Sequence, residues 1–406
     1  MVTAMKRRGA IGLAIGGGMM GIPGCRKGDS APGGPPERAN PNPAAQNMAP
    51  PPEGHDLVPV RVEESLEIRT IAGLRPYRPS GFVVRREDVS GKTLVHNYGH
   101  GGGGFSLSWG SARLAVDLAL PMAGLECAIV GAGIMGLCTG RLLQQHGAKV
   151  AIYARDLPPE TTSNVAGAQW WPFSVFDNSR RTDAFARQYV QAAEFSHRYF
   201  QQHTGPEWGV SWMPNYYLSD GQPMNGWIGG PGGVLHGLQT DFRDFAPGEH
   251  VFSKGHARRF YSMLIEPSVY LPRLIREFRE AGGEITVRPF AAAAEVLSLP
   301  QPVIFNCAGL GAGTLFNDPE LVPIKGQLTF LMPQPEVRYN LMSGDCYMFP
   351  RCDGILLGGT YETGQWDAAP DPQAKARIFA AQRRIFQTMA DMQRAHRGSG
   401  AAPERI

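Results

Sequence analysis

The chain has 406 residues and a formal net charge of +3, with charges of both signs spread along it. A balance that small and dispersed argues against a nucleic-acid partner, while the length suffices for two core-forming units or one interleaved two-domain enzyme. The six cysteines (Cys25, Cys127, Cys138, Cys307, Cys346, Cys352) form no CxxC pair and no zinc spacing, which leaves neither a metal centre nor a disulfide framework. Cys138 and Cys307 fall in apolar patterns and read as buried thiols; a bond between Cys346 and Cys352 stays open.

Taken in chain order, residues 1–25 read as an export signal. Lys6, Arg7 and Arg8 give a basic start with twin arginines. A weakly apolar, glycine-heavy stretch follows, and Ile22-Pro23-Gly24-Cys25 has the form of a lipoprotein cleavage site with Cys25 as the lipidated residue. The expectation is an exported bacterial protein, periplasmic or anchored through Cys25, with an unprocessed tail on a cytoplasmic protein as the alternative. Residues 26–56 are rich in Pro, Gly, Ala and Asn without apolar period, and read as a disordered linker. No later run is long and apolar enough to span a bilayer.

Arg75 lies in a Gly73-Leu-Arg-Pro-Tyr-Arg-Pro79 run. A strand pattern at residues 93–95 then leads into His96-Asn97-Tyr98-Gly99-His100 and four consecutive glycines, Gly101, Gly102, Gly103 and Gly104. Such a run weakens regular structure, and its use is close backbone approach. Phe105 and Ser106 follow, and a helix is predicted over 111–120. Next comes a βαβ unit: an apolar strand over 127–130, the loop Gly131-Ala132-Gly133-Ile134-Met135-Gly136, a helix with apolar residues at 134, 137, 142 and 143, and a strand over 149–154. Placed between strand and helix, this loop is a dinucleotide fingerprint. Gly131 permits the turn, Gly133 lets backbone approach a pyrophosphate, and Gly136 packs helix on strand. The helix N-terminus offers its dipole to the phosphates. After the second strand stand Arg155 and Asp156: Asp156 suits the adenosine ribose, Arg155 lines the pocket, and an arginine there also suits a 2′-phosphate. Thr161, Thr162 and Ser163 suit hydrogen bonds to phosphate or ribityl oxygens, and Gly167 and Ala168 are small where a flat ring passes. Two strands joined by a Cys-Asp-Gly turn are predicted over 347–351 and 358–361, and a helix over 370–392.

Residues 73–110 resemble the closing segment of the D-amino-acid oxidase family, and residues 126–136 resemble its opening strand and loop. Their order here is reversed, joined by a bridge over 111–125, so the resemblance implies a circular permutation of one fold. It further implies an α+β architecture in which an α/β dinucleotide-binding domain interleaves with a mixed-sheet substrate domain. FAD-binding pieces are expected at about 72–176 and 255–325, substrate-domain pieces at about 57–71, 177–254 and 326–391, and a disordered tail over 392–406. The helix over 370–392 would continue into a strand at 58–62. FAD is the implied cofactor, wrapped by Thr161, Thr162, Ser163, Gly167, Ala168, Gln169 and Trp170, and approached by Gly101–Gly104, Phe105 and Ser106. The helix after Trp109 would face the pyrimidine end of the flavin.

In this resemblance Arg75 pairs with the substrate α-carboxylate, Tyr347 assists it, and Tyr361 is a second carboxylate-side tyrosine. A further family tyrosine is replaced by Ser343, as in a fungal-like pocket. The implied reaction is oxidative deamination of a D-amino acid, by hydride transfer from Cα to flavin N5 and reoxidation by O2 to H2O2. A dehydrogenase passing electrons to a quinone or other carrier, and a non-catalytic dinucleotide-binding lipoprotein, are the alternatives. Neutral and acidic substrates are both open, since Arg351 could serve an acidic side chain. Membrane contact through Cys25 and a homodimer are open too.

Overall fold

The computed structural model describes residues 56–121, 123–221, 233–252, 255–344 and 346–398, and side chains through residue 395. The basic start, Cys25, the linker to residue 55 and residues 399–406 lie outside them. The chain divides into Met1–Ala49 and Pro50–Ile406, and everything below belongs to the second unit.

The elements run β1 (Glu67–Tyr77), β2 (Val83–Val89), β3 (Lys92–Tyr98), α1 (Gly104–Asp117), β4 (Glu126–Val130), α2 (Ile134–Gln145) and β5 (Lys149–Ala154). Then come α3 (Asp183–Gln202), β6 (Val210–Ser219), β7 (Thr240–Phe245), β8 (His256–Ile265), α4 (Pro267–Glu280), β9 (Glu284–Val287), α5 (Ala293–Leu297) and β10 (Val303–Asn306). The chain closes with α6 (Gly311–Phe316), β11 (Val322–Leu331), β12 (Asn340–Ser343), β13 (Cys346–Arg351), β14 (Gly354–Gly358), β15 (Glu362–Thr363) and α7 (Pro372–Gly398).

Two sheets result, as expected of an α+β architecture. The smaller has the order β2-β3-β10-β4-β5-β9, parallel from β3 to β9 with β2 antiparallel at the edge. Its central strands are buried from Cys127 to Val130 and from Val303 to Asn306, which is why they read as nearly continuous apolar runs. From β4 the chain crosses through α2 to β5 on one side, yet β10 pairs on the other side, so a topological switch point falls between β4 and β10. The larger sheet has the order β1-β11-β14-β13-β12-β6-β8-β7, with β15 beside β11, and only β12 and β6 are parallel within it. Helix α7 covers one face through Ile378, Phe379, Ile385, Phe386 and Met389. The segment that precedes β4 feeds both sheets: β1 pairs with β11 along its length, and β3 pairs with β10.

Four sequence expectations are corrected. Residues 58–62 form no strand; Leu57, Val60 and Val62 plug the α7 side, and their backbone is satisfied by Gln334, Tyr339 and Gln393 side chains instead of a ladder. Helix α1 begins at Gly104, not at 111, because Phe105, Leu107 and Trp109 are driven into the core, which outweighs the entropy cost of glycine. Its close crossing of α3 is permitted by Gly110, where an added Cβ would lie 2.0 Å from the Ala192 carbonyl oxygen. Strand β14 ends at Gly358, leaving Thr360 and Tyr361 outside it. Residues 392–398 continue α7.

Candidate active site

The dinucleotide loop sits at the switch point. Gly131 has φ +111°, and a Cβ there would lie 2.4 Å from the Cys307 carbonyl oxygen. A Cβ on Gly136 would lie 1.9 Å from the Gly131 carbonyl oxygen. Both glycines are therefore required by backbone contact, while Ala132, Ile134 and Met135 are buried around them. Gly133 caps α2, and the Ile134 N–H donates to Ser163 Oγ at 3.0 Å. Beside the loop opens a cleft of about 960 Å³, lined by Ala132, Leu157, Glu160, Thr161, Asn164 and residues of α4. Thr161 is buried and donates to Asn164; Thr162 is exposed. Asp156 is not in the cleft lining and pairs with the exposed Arg155 at 2.8 Å, whereas Glu160 is one of the carboxylates on the cleft wall.

The glycine run makes its close approaches to the chain itself. A Cβ on Gly101, Gly102 or Gly103 would lie 2.2 Å from the Ser174 carbonyl, 2.6 Å from the Phe173 carbonyl or 2.6 Å from Val175. Gly104 alone of the four has room, its nearest neighbour being Ile134 at 3.9 Å. Phe105 is core, and Ser106 Oγ accepts from the Trp171 N–H at 3.0 Å, tying α1 to the 166–171 segment. His100 is stacked on Phe82 and bonded to Ser111, which donates to Asn97, and burial holds its imidazole neutral with its pKa lowered to about 3.

The 166–171 segment lies across the larger sheet. A Cβ on Gly167 would meet the Phe349 ring at 2.7 Å, and Ala168 adopts φ +59°. Gln169 donates to Asn215 at 2.5 Å. Trp170 is fully buried, edge-on to His197, and its Nε1 has no acceptor in the protein.

On that same sheet face three glycines clear a floor. Gly73 on β1 stands opposite Gly326 on β11, and Gly358 on β14 stands opposite Tyr347 on β13. Over this floor lie two side chains. A Cβ on Gly326 would fall 2.4 Å from the Arg75 guanidinium, and one on Gly358 would fall 2.1 Å from the Tyr347 ring. The Tyr347 hydroxyl sits in hydrogen-bonding range of Arg75; burial pushes its pKa up, and the adjacent guanidinium pulls it part of the way back. Arg75 Nη1 is buried and has no acceptor in the protein. A buried charged donor left without a partner costs several kcal/mol, on the order of 3, which leaves this nitrogen a donor for an anion from outside the protein. Arg75 and Tyr347 are thus brought together as expected. Tyr361 is 52 % exposed and directly precedes β15, whose Glu362 pairs with Lys325 beside Gly326, and its hydroxyl lies 2.7 Å from Ser174 Oγ. Gly326 and Gly358 were missed from sequence; glycine at the inward positions of alternating strands is the signal that would have found them.

Arg351 plays another part. Its guanidinium, 1 % exposed, binds Asp353 through two nitrogens at 2.8 and 2.6 Å and donates to the Ala166 carbonyl at 2.8 Å. It therefore holds the 166–171 segment to the sheet. Cys346 is buried, Cys352 is exposed, and neither forms a disulfide, nor do the buried Cys138 and Cys307.

The loop, its helix and the adjoining cleft fit an extended dinucleotide: the backbone makes room for a pyrophosphate and the cleft for the adenosine arm. Comparison with known proteins agrees. The chain is 31 % identical over 260 residues to a D-amino-acid oxidase of Streptomyces coelicolor, covering 62 % of this chain and 75 % of that protein. It is 25 % identical over 264 residues to human D-aspartate oxidase, covering 62 % and 73 %. Among solved structures, iminodiacetate oxidase of Chelativorans sp. is similar with a TM-score of 0.48 at 16 % identity, over 65 % of this chain and 80 % of that one. A sequence profile described as FAD dependent oxidoreductase (DAO) matches residues 6–118 and 126–405, nearly the whole chain, which therefore belongs to that family.

Proposed function

We propose that this protein oxidises D-amino acids to imino acids, with oxygen as the final acceptor and hydrogen peroxide as its product. The observation that carries the substrate is Arg75, whose buried Nη1 has no protein acceptor and whose planar fork suits a carboxylate held at two points. Tyr347 adds a hydroxyl from the same floor and fixes the rotation of the bound group. With the carboxylate held and the glycine floor below, the Cα–H is presented in one orientation, and rate enhancement is chiefly positioning. No side chain near the clamp is assigned the role of general base. FAD, when bound, supplies the hydride acceptor; Gly131–Gly136 would hold its pyrophosphate, Thr161 and Glu160 would line its adenosine arm, and Ser163 and Gly167 would flank the path to the ring. Tyr361 contributes to the rim of the site through Ser174.

The reversed order of the two family segments is read as a circular permutation, supported by the way β1 and β3 complete sheets begun by later strands. Twin arginines and the Cys25 context support export with lipid anchoring. The test is an anaerobic spectrum of the full chain with FAD. D-alanine should bleach the flavin bands and L-alanine should not; in air, one peroxide should form per amino acid oxidised. Bleaching without peroxide would make the protein a dehydrogenase, and no bleaching by either isomer would discard the substrate.

A further inference from the structure

We propose that Asn306 is a positioning residue for the dinucleotide, and that it couples retention of FAD to the protonation state of His96. This rests on the reading of Gly131–Gly136 as the pyrophosphate loop. Asn306 is the last residue of β10, beside the switch point, and is fully buried. The two residues after it are the wall on which the loop turns. A Cβ on Gly131 would lie 2.4 Å from the Cys307 carbonyl oxygen and 3.3 Å from the Ala308 Cα. The Cys307 N–H donates to the Val130 carbonyl at 2.9 Å, and the Ala308 N–H donates to Asn306 Oδ1 at 3.2 Å. The Asn306 amide thus fixes the turn that abuts Gly131.

The orientation of that amide is decided by His96, which stands opposite Asn306 in the pairing of β3 with β10. With Oδ1 committed to Ala308, the Asn306 Nδ2 faces His96 Nδ1 at 3.0 Å. An amide nitrogen only donates, so Nδ1 accepts, and the imidazole proton sits on Nε2, where it is donated to the Glu87 carboxylate. The chain of bonds from Ala308 through Asn306 and His96 to Glu87 therefore runs in one direction and is complete only with neutral imidazole. A second proton, on Nδ1, sets donor against donor. Turning the Asn306 amide restores that bond but presents its NH2 to the Ala308 N–H, so the turn loses its anchor. The surroundings of His96 are otherwise closed: the rings of Tyr98 and Phe316 meet it edge-on, with centroids 5.8 and 5.1 Å away. The charged groups that act on it are Glu87 and Arg85 on β2 and Asp318 after α6, the last bound to Tyr98 and Arg78. Burial holds its pKa below the ordinary 6.5, against the pull of Glu87 and Asp318 and with the help of Arg85. The neutral form is thus complete above pH 6.5, and the imidazolium appears as the pH falls below it. Glu87 is exposed, which gives the proton a way in from solvent.

The test is the FAD dissociation constant of the full chain, followed by flavin fluorescence between about pH 8 and pH 5, with urea unfolding measured alongside. In wild type the constant should rise at least ~10-fold as the pH falls across that range. Asn306→Asp presents an oxygen to both neighbours, so it holds Ala308 and also accepts from a doubly protonated His96. His96→Asn keeps an acceptor for Asn306 and cannot be protonated. In both variants the constant should change less than ~3-fold over the same range, whatever stability they lose. Glu87→Gln, on the exposed edge strand, removes a charge that favours the imidazolium, so the midpoint of the wild-type curve should move to lower pH by ~1 unit. A constant independent of pH in wild type, a slope unchanged in Asn306→Asp and His96→Asn, or a midpoint unmoved by Glu87→Gln would overturn this inference and leave the loop as the pyrophosphate site. No binding of FAD by wild type at any pH would remove the dinucleotide reading and this inference with it.

Discussion

Arg75 and Arg351 lie on one face of one sheet, yet their surroundings differ. Arg351 is surrounded by acceptors: two carboxylate oxygens of Asp353 and the Ala166 carbonyl. Arg75 rests over a glycine with one buried nitrogen unanswered. The first arrangement is complete as folded, and its product is the placement of the 166–171 segment. The second leaves one donor for which the protein supplies no acceptor. The two guanidinium groups, Arg351 buried and Arg75 half-buried, therefore differ in whether the protein supplies their acceptors.

Substitutions should separate the two sharply. The largest effect is expected for Arg75→Lys, which leaves one point charge where two parallel donors stood. kcat/KM for D-alanine should fall ~10³-fold, about 4 kcal/mol of transition-state stabilisation, while urea unfolding moves by less than ~1 kcal/mol. Arg351→Met should invert that pattern. It strands Asp353 and frees the Ala166 carbonyl, and unfolding should lose about 3 kcal/mol, a figure at the low end for a broken buried pair because Asp353 keeps some solvent contact. Gly326→Ala sharpens the comparison from the floor. The new Cβ meets the flexible end of Arg75, not backbone, so stability should hold while the displaced guanidinium costs ~30-fold in kcat/KM.

The smallest expected effect is a dependence of stability on pH from the glycine-run anchor. His100 has its pKa lowered by burial to about 3 in the fold against 6.5 when exposed, so the unfolded chain binds its proton first. The stability it contributes is complete above pH 6.5 and is lost as the pH falls from there towards 3. About 1 kcal/mol should disappear between pH 7 and 5.5, and His100→Gln should flatten that part of the curve by the same amount.

Sequence made the dinucleotide unit legible because β4, α2 and β5 are adjacent in the chain and Gly136 answers to Gly131 within the loop itself, although Gly131 packs on Cys307 and Gly133 on Ser163. Arg75 and Tyr347 were legible only through the family resemblance, since nothing near either residue announces that β1 and β13 share a face. What escaped was set by long-range packing. Gly101–Gly103 looked open to a ligand because Phe173, Ser174 and Val175 are seventy residues away. The packing of Trp170 is likewise long-range: His197 meets its ring, and its backbone N–H donates to the Met263 carbonyl. Asp156, expected at the ribose, forms a surface pair with its neighbour Arg155.

The central claim, that Arg75 awaits the substrate carboxylate, is tested most directly by a two-by-two comparison. kcat/KM would be measured for D-alanine and D-alaninamide, which lacks the carboxylate charge, in the wild-type chain and in Arg75→Leu. Wild type should prefer D-alanine by ~10²-fold or more, and the variant should scarcely distinguish the two, because the same interaction is already gone. Equal discrimination by both chains would contradict the assignment and place the carboxylate elsewhere.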